Sequence, residues 1–107
     1  MASENSEKIN TMRQLRDMKV REHFEQYAPV WLVDEEPLVE DETLRFNVVF
    51  VHPRYGWVTR RYRFDAFNNV LYYHGQRRLR EEDTLDLLDQ EPYTPAETIN
   101  TVESYGG

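Results

Sequence analysis

The middle of the chain combines arginine with aromatic side chains. Residues 46–73 hold nine of the fourteen aromatic side chains, and residues 54–80 hold seven arginines with Asp65 as their one acidic residue. Tyrosine, tryptophan and arginine dominate the binding energy of protein interfaces, and guanidinium groups select anionic surfaces. We therefore predict that this stretch binds a partner through six residues, Arg54, Tyr55, Trp57, Arg60, Arg61 and Arg63.

Two kinds of partner fit arginine interleaved with aromatic rings. Single-stranded nucleic acid stacks its bases on rings while guanidinium groups hold its phosphates. However, the chain carries 20 acidic against 13 basic side chains, a formal charge of −7, and no Lys/Arg-Gly-aromatic motif typical of RNA-binding sheets. We therefore expect a larger protein or complex with an acidic surface as the partner. RNA or single-stranded DNA on the same face is the alternative.

A structural explanation competes with both binding hypotheses. Strand alternation would place Tyr62 and Phe64 in the core, while Arg61 and Arg63 would face solvent or pair with the acidic segments. Trp57 has the opposite parity to Tyr62 and should therefore point away from the core. It should then be exposed to solvent, unless the C-terminal helix or tail covers it.

Catalytic and metal-binding groups are scarce. The chain has no cysteine, no GxSxG, no HExxH and no phosphate-binding glycine loop. His52, His74 and Asp65 form the one metal-like combination, but turn or strand-end roles explain them better, and Asp65 fits the cap of a turn. We therefore expect no catalytic residue, no cofactor and no metal. A small-ligand pocket between helix and sheet, near Asp65, Tyr72 and His74, is a further alternative.

The predicted elements follow from hydrophobic spacing. A capping box at Thr11 and an apolar stripe that ends before Pro29 predict a helix over residues 11–28. Period-two patterns then predict strands over 30–33, 44–51, 57–64 and 70–74, separated by an acidic loop (34–42), a turn around HPRYGW and a turn at 65–69. A short helix that carries Leu85, Leu87 and Leu88 is predicted to close one end of the domain, with Asp83 or Thr84 as its cap and Pro92 and Pro95 after its end.

These patterns predict an α+β fold, in which the N-terminal helix packs on a three- or four-stranded antiparallel β-meander. With 107 residues there is room for one domain, which we place at 9–91, after a disordered lead (1–8) and before a flexible tail (92–107). No apolar run approaches the about 20 residues of a membrane span, and the first residues lack a signal-peptide pattern, so we expect a soluble cytoplasmic protein. The predicted function is a non-enzymatic binding, assembly or regulatory module.

Overall fold

Four antiparallel strands and two helices make up the computed structural model, which describes residues 2–90 and residue 92. The order is helix α1 (Ala2–Phe24), strands β1 (Trp31–Leu38), β2 (Thr43–His52), β3 (Gly56–Asp65) and β4 (Val70–Arg78), then the short helix α2 (Leu85–Leu88). The strands form one sheet in the order β1-β2-β3-β4. The structure therefore confirms the predicted α+β fold, with four strands in the meander.

Helix α1 starts earlier than its apolar stripe suggested. The predicted start at Thr11 is wrong, because the Thr11 hydroxyl donates to the carbonyl of Glu7 at 3.0 Å instead of capping a helix end. Residues 2–8, expected as a disordered lead, belong to the helix. No glycine or proline occurs before Pro29, so nothing in the backbone chemistry stops a helix in this polar stretch. The helix ends at Phe24, and a 3₁₀ turn (Glu25–Tyr27) precedes Pro29.

Both edge strands are longer than predicted, and each contains a bulge. Residues 34–38 belong to β1, so the predicted acidic loop is wrong over that part. Asp34 takes the left-handed conformation (φ +55°) at an irregularity between Val33 and Glu36. In β4, Gly75 has φ +117° at the second bulge, where the pairing of β3 with β4 changes register between Arg60 and Tyr62. Beyond this bulge β4 continues to Arg78. A bulge bends a strand without ending it, and an alternation of apolar and polar residues does not predict where a bulge occurs.

The face of the sheet toward α1, called the helix face, carries the main core. Phe24 of α1 packs edge-on against Phe50 and Tyr62, with ring centroids 5.2 and 5.7 Å apart. The sheet contributes buried residues at alternating positions, as predicted: Leu44, Phe46, Val48, Phe50, Val58, Tyr62 and Phe64.

A buried ion-pair cluster ties α1 to β1. The Arg16 side chain is only 3% exposed; its Nη2 donates to Glu35 Oε1 at 2.6 Å and its Nε to Asp17 Oδ1 at 2.8 Å. Arg13 Nε donates to the other oxygen of Glu35. Burial pushes the pKa of Glu35 upward, but the hydrogen bonds and charges of Arg16 and Arg13 outweigh it, and the pKa is lowered. Burial raises the pKa of Asp17 despite its bond to Arg16.

The opposite face of the sheet, called the outer face, carries a second apolar cluster. Trp31, Val49 and Leu87 are buried there, and Val33, Trp57 and Leu79 pack against them. Trp31 Nε1 donates to the carbonyl of Gln90 at 3.2 Å, which fastens the chain after α2 to the sheet. The C-terminal helix therefore covers part of the outer face. The prediction that it closes one end of the domain is wrong. Apart from Pro92, the predicted tail lies outside the described residues.

Candidate docking surface at the β2–β3 turn

The six predicted binding residues do not share one face. Arg60 lies on the helix face, in register with the core residues of β3, whereas Trp57, Arg61 and Arg63 lie on the outer face. Arg54 and Tyr55 belong to the turn between β2 and β3 and are exposed. A flat partner cannot contact all six at once. The structure thus separates them into a group at the turn and arginines along the strand.

Trp57 is not the freely exposed anchor that strand parity predicted. It points to the outer face, as expected, but its ring lies 5.5 Å from that of Trp31 and is half-buried. The cause is the second apolar cluster, which covers this corner with Leu79 and Leu87. Part of Trp57 still lines a surface groove.

This groove, at the end of the sheet beside the turn, has a volume of about 540 Å³. Val51, on its floor, keeps 51% of its surface exposed, which is high for an apolar residue in a central strand. Most of the lining side chains are apolar: Gln26, Tyr27, Ala28, Pro29, Trp31, Val51, Pro53 and Trp57. We call these residues the apolar groove.

Two arginines lie over Tyr55 of the turn: Arg54, which belongs to the same turn, and Arg78, the last residue of β4. The Tyr55 ring is 41% exposed, and the guanidinium carbons of Arg54 and Arg78 lie 5.8 and 5.3 Å from its centre. Within the described residues, neither arginine is ion-paired with a carboxylate. We call Arg54, Tyr55 and Arg78 the arginine rim.

His52 holds the turn in shape. Its Nδ1 accepts the backbone N–H groups of Arg54 and Tyr55 at 3.0 and 3.4 Å, so the proton of the neutral ring is on Nε2. The imidazole also lies between two tyrosines, with its centre 4.8 Å from Tyr55 and 6.1 Å from Tyr27. A turn fixed in this way loses little conformational entropy when a partner binds.

Arg61 and Arg63 are engaged within the outer face. Arg61 reaches Glu36 Oε2 at 3.3 Å, and its Nη1 donates to the carbonyl of Asp34 and to Asn47 Oδ1. Arg63 packs its guanidinium 4.5 Å from the centre of the Tyr72 ring. Arg61 therefore pairs with the acidic segment, as expected if its role is structural.

The structure does not support a role for Asp65 beyond capping a turn, a metal site or a ligand pocket beside Tyr72. Asp65 accepts the backbone N–H of Asn68 at 3.0 Å and its side-chain amide at 2.8 Å, and these bonds lower the pKa of Asp65, as expected of a turn cap. Across residues 2–90, no three metal-ligating side chains come together. Tyr72 pairs with Arg63 on the outer face, so it does not line a pocket between α1 and the sheet.

The sequence did not indicate most residues of this surface, among them Tyr27, Trp31, Val51 and Arg78. A signal for two of them was present, because Trp31 and Val51 are apolar residues on the strand face opposite the main core. Arg78 lay beyond the predicted end of β4. No helix in the described part of the chain is long and apolar enough to cross a membrane.

Comparison of the chain with protein-family models, curated proteins and solved structures finds no match.

Proposed function

We propose that the protein is a non-enzymatic binding module that docks on a larger protein through the apolar groove and the arginine rim. The observation that carries this proposal is that the two parts are continuous: Tyr27 of the groove lies 6.1 Å from His52, and His52 lies 4.8 Å from Tyr55 of the rim. The guanidinium groups of Arg54 and Arg78 lie over Tyr55 and have no carboxylate partner in the described structure. Apolar pockets bordered by arginine and tyrosine are typical of the energetic centres of protein interfaces.

The two parts of the surface would play different roles. An apolar side chain of the partner would enter the groove against Trp31, Val51 and Trp57 and be removed from water there. Carboxylates next to it would meet Arg54 and Arg78, whose guanidinium groups lie over Tyr55 and have no carboxylate partner in the described structure. The partner is therefore an acidic protein segment that contains at least one large apolar side chain.

A peptide-display selection tests this proposal, with the purified protein as bait. We expect the selected peptides to combine Asp or Glu with a large apolar residue and to bind less tightly as salt rises. The double variant Arg54→Glu, Arg78→Glu should lose these peptides. The double variant Arg45→Glu, Arg63→Glu is the matched control, because it changes the net charge equally on the outer face.

The groove has its own pair of variants. Val51→Asp places a charge on its floor and should abolish binding, whereas Val70→Asp, at an exposed position that begins β4, should not. Selected peptides without an acidic surplus, or peptides that bind all four variants equally, would refute the proposal. Tight binding of a single-stranded oligonucleotide that is lost in Arg54→Glu, Arg78→Glu would instead support the nucleic-acid alternative.

A further inference from the structure

Arg60 lies in a box of aromatic rings on the helix face. It is half-buried, and its guanidinium carbon lies 5.0 Å from the centre of the Phe50 ring and 5.8 to 6.0 Å from three others. The four rings belong to Phe24, Tyr27, Phe50 and Tyr73. Aromatic faces attract a cation, but they do not neutralise its charge.

The hydrogen-bond partners of Arg60 are neutral. Its Nε donates to Gln76 Oε1 at 2.5 Å, and its Nη1 makes a long contact of 3.5 Å with the Tyr62 hydroxyl. Within residues 2–90, no carboxylate pairs with it, and its Nη2 has no hydrogen-bond acceptor yet remains open to solvent. One edge of the guanidinium is therefore free to bind a ligand.

The partly or fully buried arginines differ in whether they have a carboxylate partner. Arg16 is paired with Glu35 and Asp17, and Arg61 is paired with Glu36, whereas Arg21 and Arg63 have no carboxylate partner in the described structure. Taking a charge out of water without a counter-ion is costly, and 20 acidic side chains were available to supply one. Arg60 lacks a counter-ion, as Arg21 and Arg63 do, but its free guanidinium edge together with the arginine beside it points to an anion that comes from outside the chain.

A second guanidinium lies beside Arg60 on the same face. Gln76 is directly opposite Arg60 in the ladder and Arg78 is opposite Val58, so Arg60 and Arg78 are diagonal neighbours. Diagonal positions in an antiparallel pair are about 7–8 Å apart, which lets two arginines reach one tetrahedral anion. The Tyr73 ring, which lies 5.8 Å from the Arg60 guanidinium carbon, is 58% exposed.

We propose that Arg60 and Arg78 form a binding site for a dianionic phosphate group. Arg60 Nη2 and the guanidinium of Arg78 donate to the phosphate oxygens, and Gln76 fixes the orientation of Arg60. When the phosphate is a monoester on an aromatic carrier, the carrier stacks on the exposed ring of Tyr73. The site shares Tyr27 with the apolar groove and Arg78 with the arginine rim, but it uses neither Val51 nor Arg54, so it can exist whether or not the docking proposal holds.

Nuclear magnetic resonance of the arginine Nε–Hε groups tests the site in the full chain. The protein is titrated with inorganic phosphate, and separately with phenyl phosphate, above the second pKa of phosphate and at constant ionic strength. We expect saturable shifts at Arg60 and Arg78 but not at Arg63, which also packs on a tyrosine but lies on the outer face. Phenyl phosphate should bind more tightly if Tyr73 contributes stacking.

Two matched variants complete the experiment. Arg78→Gln removes an exposed side chain and should weaken phosphate binding by about tenfold or more, because it deletes a charge-assisted hydrogen bond. Arg63→Gln should leave the affinity unchanged. The site is refuted if the shifts do not saturate, if Arg45, Arg54 and Arg63 shift as much as Arg60, or if Arg78→Gln binds phosphate as tightly as the wild type.

Discussion

Replacing Glu35 with alanine tests whether the buried ion-pair cluster holds α1 on the sheet. The Glu35 carboxylate accepts from Arg13 Nε at 2.9 Å and from Arg16 Nη2 at 2.6 Å, so one substitution removes the carboxylate shared by both arginines. The Arg16 side chain is almost fully buried and lies 4.8 Å from the centre of the Phe46 ring. Without Glu35, this guanidinium keeps its charge in a place that water does not reach.

The size of the effect follows from the exposure of the partners. Removing one member of a buried ion pair costs about 3–5 kcal/mol, whereas an exposed pair such as that of Arg13 contributes less than about 1 kcal/mol. Asp17 still accepts from Arg16 Nε and compensates in part. We therefore expect Glu35→Ala to lower the free energy of unfolding by about 2–4 kcal/mol, a large share of the about 5–15 kcal/mol typical of a single domain.

Urea unfolding, followed by circular dichroism, measures this loss. The matched control is Glu36→Ala, which removes the adjacent glutamate; its side chain is 63% exposed and pairs with Arg61, so the change should stay below about 1 kcal/mol. The double variant Arg16→Met, Glu35→Ala removes the buried charge together with its partner. It should be more stable than Glu35→Ala alone, because no unpaired guanidinium is left.

Two results would refute this reasoning. A loss for Glu35→Ala as small as that for Glu36→Ala would mean that water or Asp17 fully compensates Arg16. A double variant less stable than Glu35→Ala would mean that Arg16 stabilises the fold by packing on Phe46 and not through its charge.

Four further predictions concern the core, the acid range and the outer face. Phe24→Ala should cost about 3–5 kcal/mol in urea unfolding, because Phe24 is fully buried, while Phe67→Ala, at a turn residue that is 77% exposed, should change stability by less than about 0.5 kcal/mol. Contacts with Arg16 and Arg13 outweigh burial and lower the pKa of Glu35 in the folded state. The ionised carboxylate therefore stabilises the fold above the unfolded-state pKa of Glu35, and this stabilisation is lost as the pH falls through the folded-state pKa. Glu35→Gln should therefore flatten the rise of the free energy of unfolding with pH. Burial raises the pKa of Asp17 in the folded state, so the contribution of Asp17 to stability is lost as the pH rises through this pKa. Asp17→Asn should therefore make the free energy of unfolding increase more steeply with pH in the same urea experiments. Trp57→Ala should lower the free energy of unfolding by about 1–3 kcal/mol, since Trp57 packs on Trp31, and an unchanged melting temperature would show that the contact contributes nothing.

Strand alternation predicted the helix face well. Phe46, Val48, Tyr62 and Phe64 recur every second residue, and all of them are buried against α1. A period-two pattern is a local property: once the strand exists, the pleat decides which side chains point the same way.

Side-chain partners on the outer face were harder to predict. Strand parity left open whether Trp57 is exposed or covered by the C-terminal helix or tail, and in the structure Leu87 of that helix belongs to the same apolar cluster. The chain after α2 returns to Trp31, 59 residues away, through the bond from Trp31 Nε1 to Gln90. Strand parity gives the direction of a side chain, but what covers it depends on segments that are distant in sequence.

Turn chemistry and hydrophobic period act over a few residues, so the amino-acid sequence predicts the order of the elements, the antiparallel meander and the residues of the main core. Which arginines are neutralised depends instead on tertiary contacts. Arg16 finds Glu35 across 19 residues and Arg61 finds Glu36 through the register of three strands and the bulge at Asp34, whereas Arg60 and Arg78 find no carboxylate in the described structure. Charge pairing extends only a few ångströms, so the strand register and the bulges set it, and neither follows from composition.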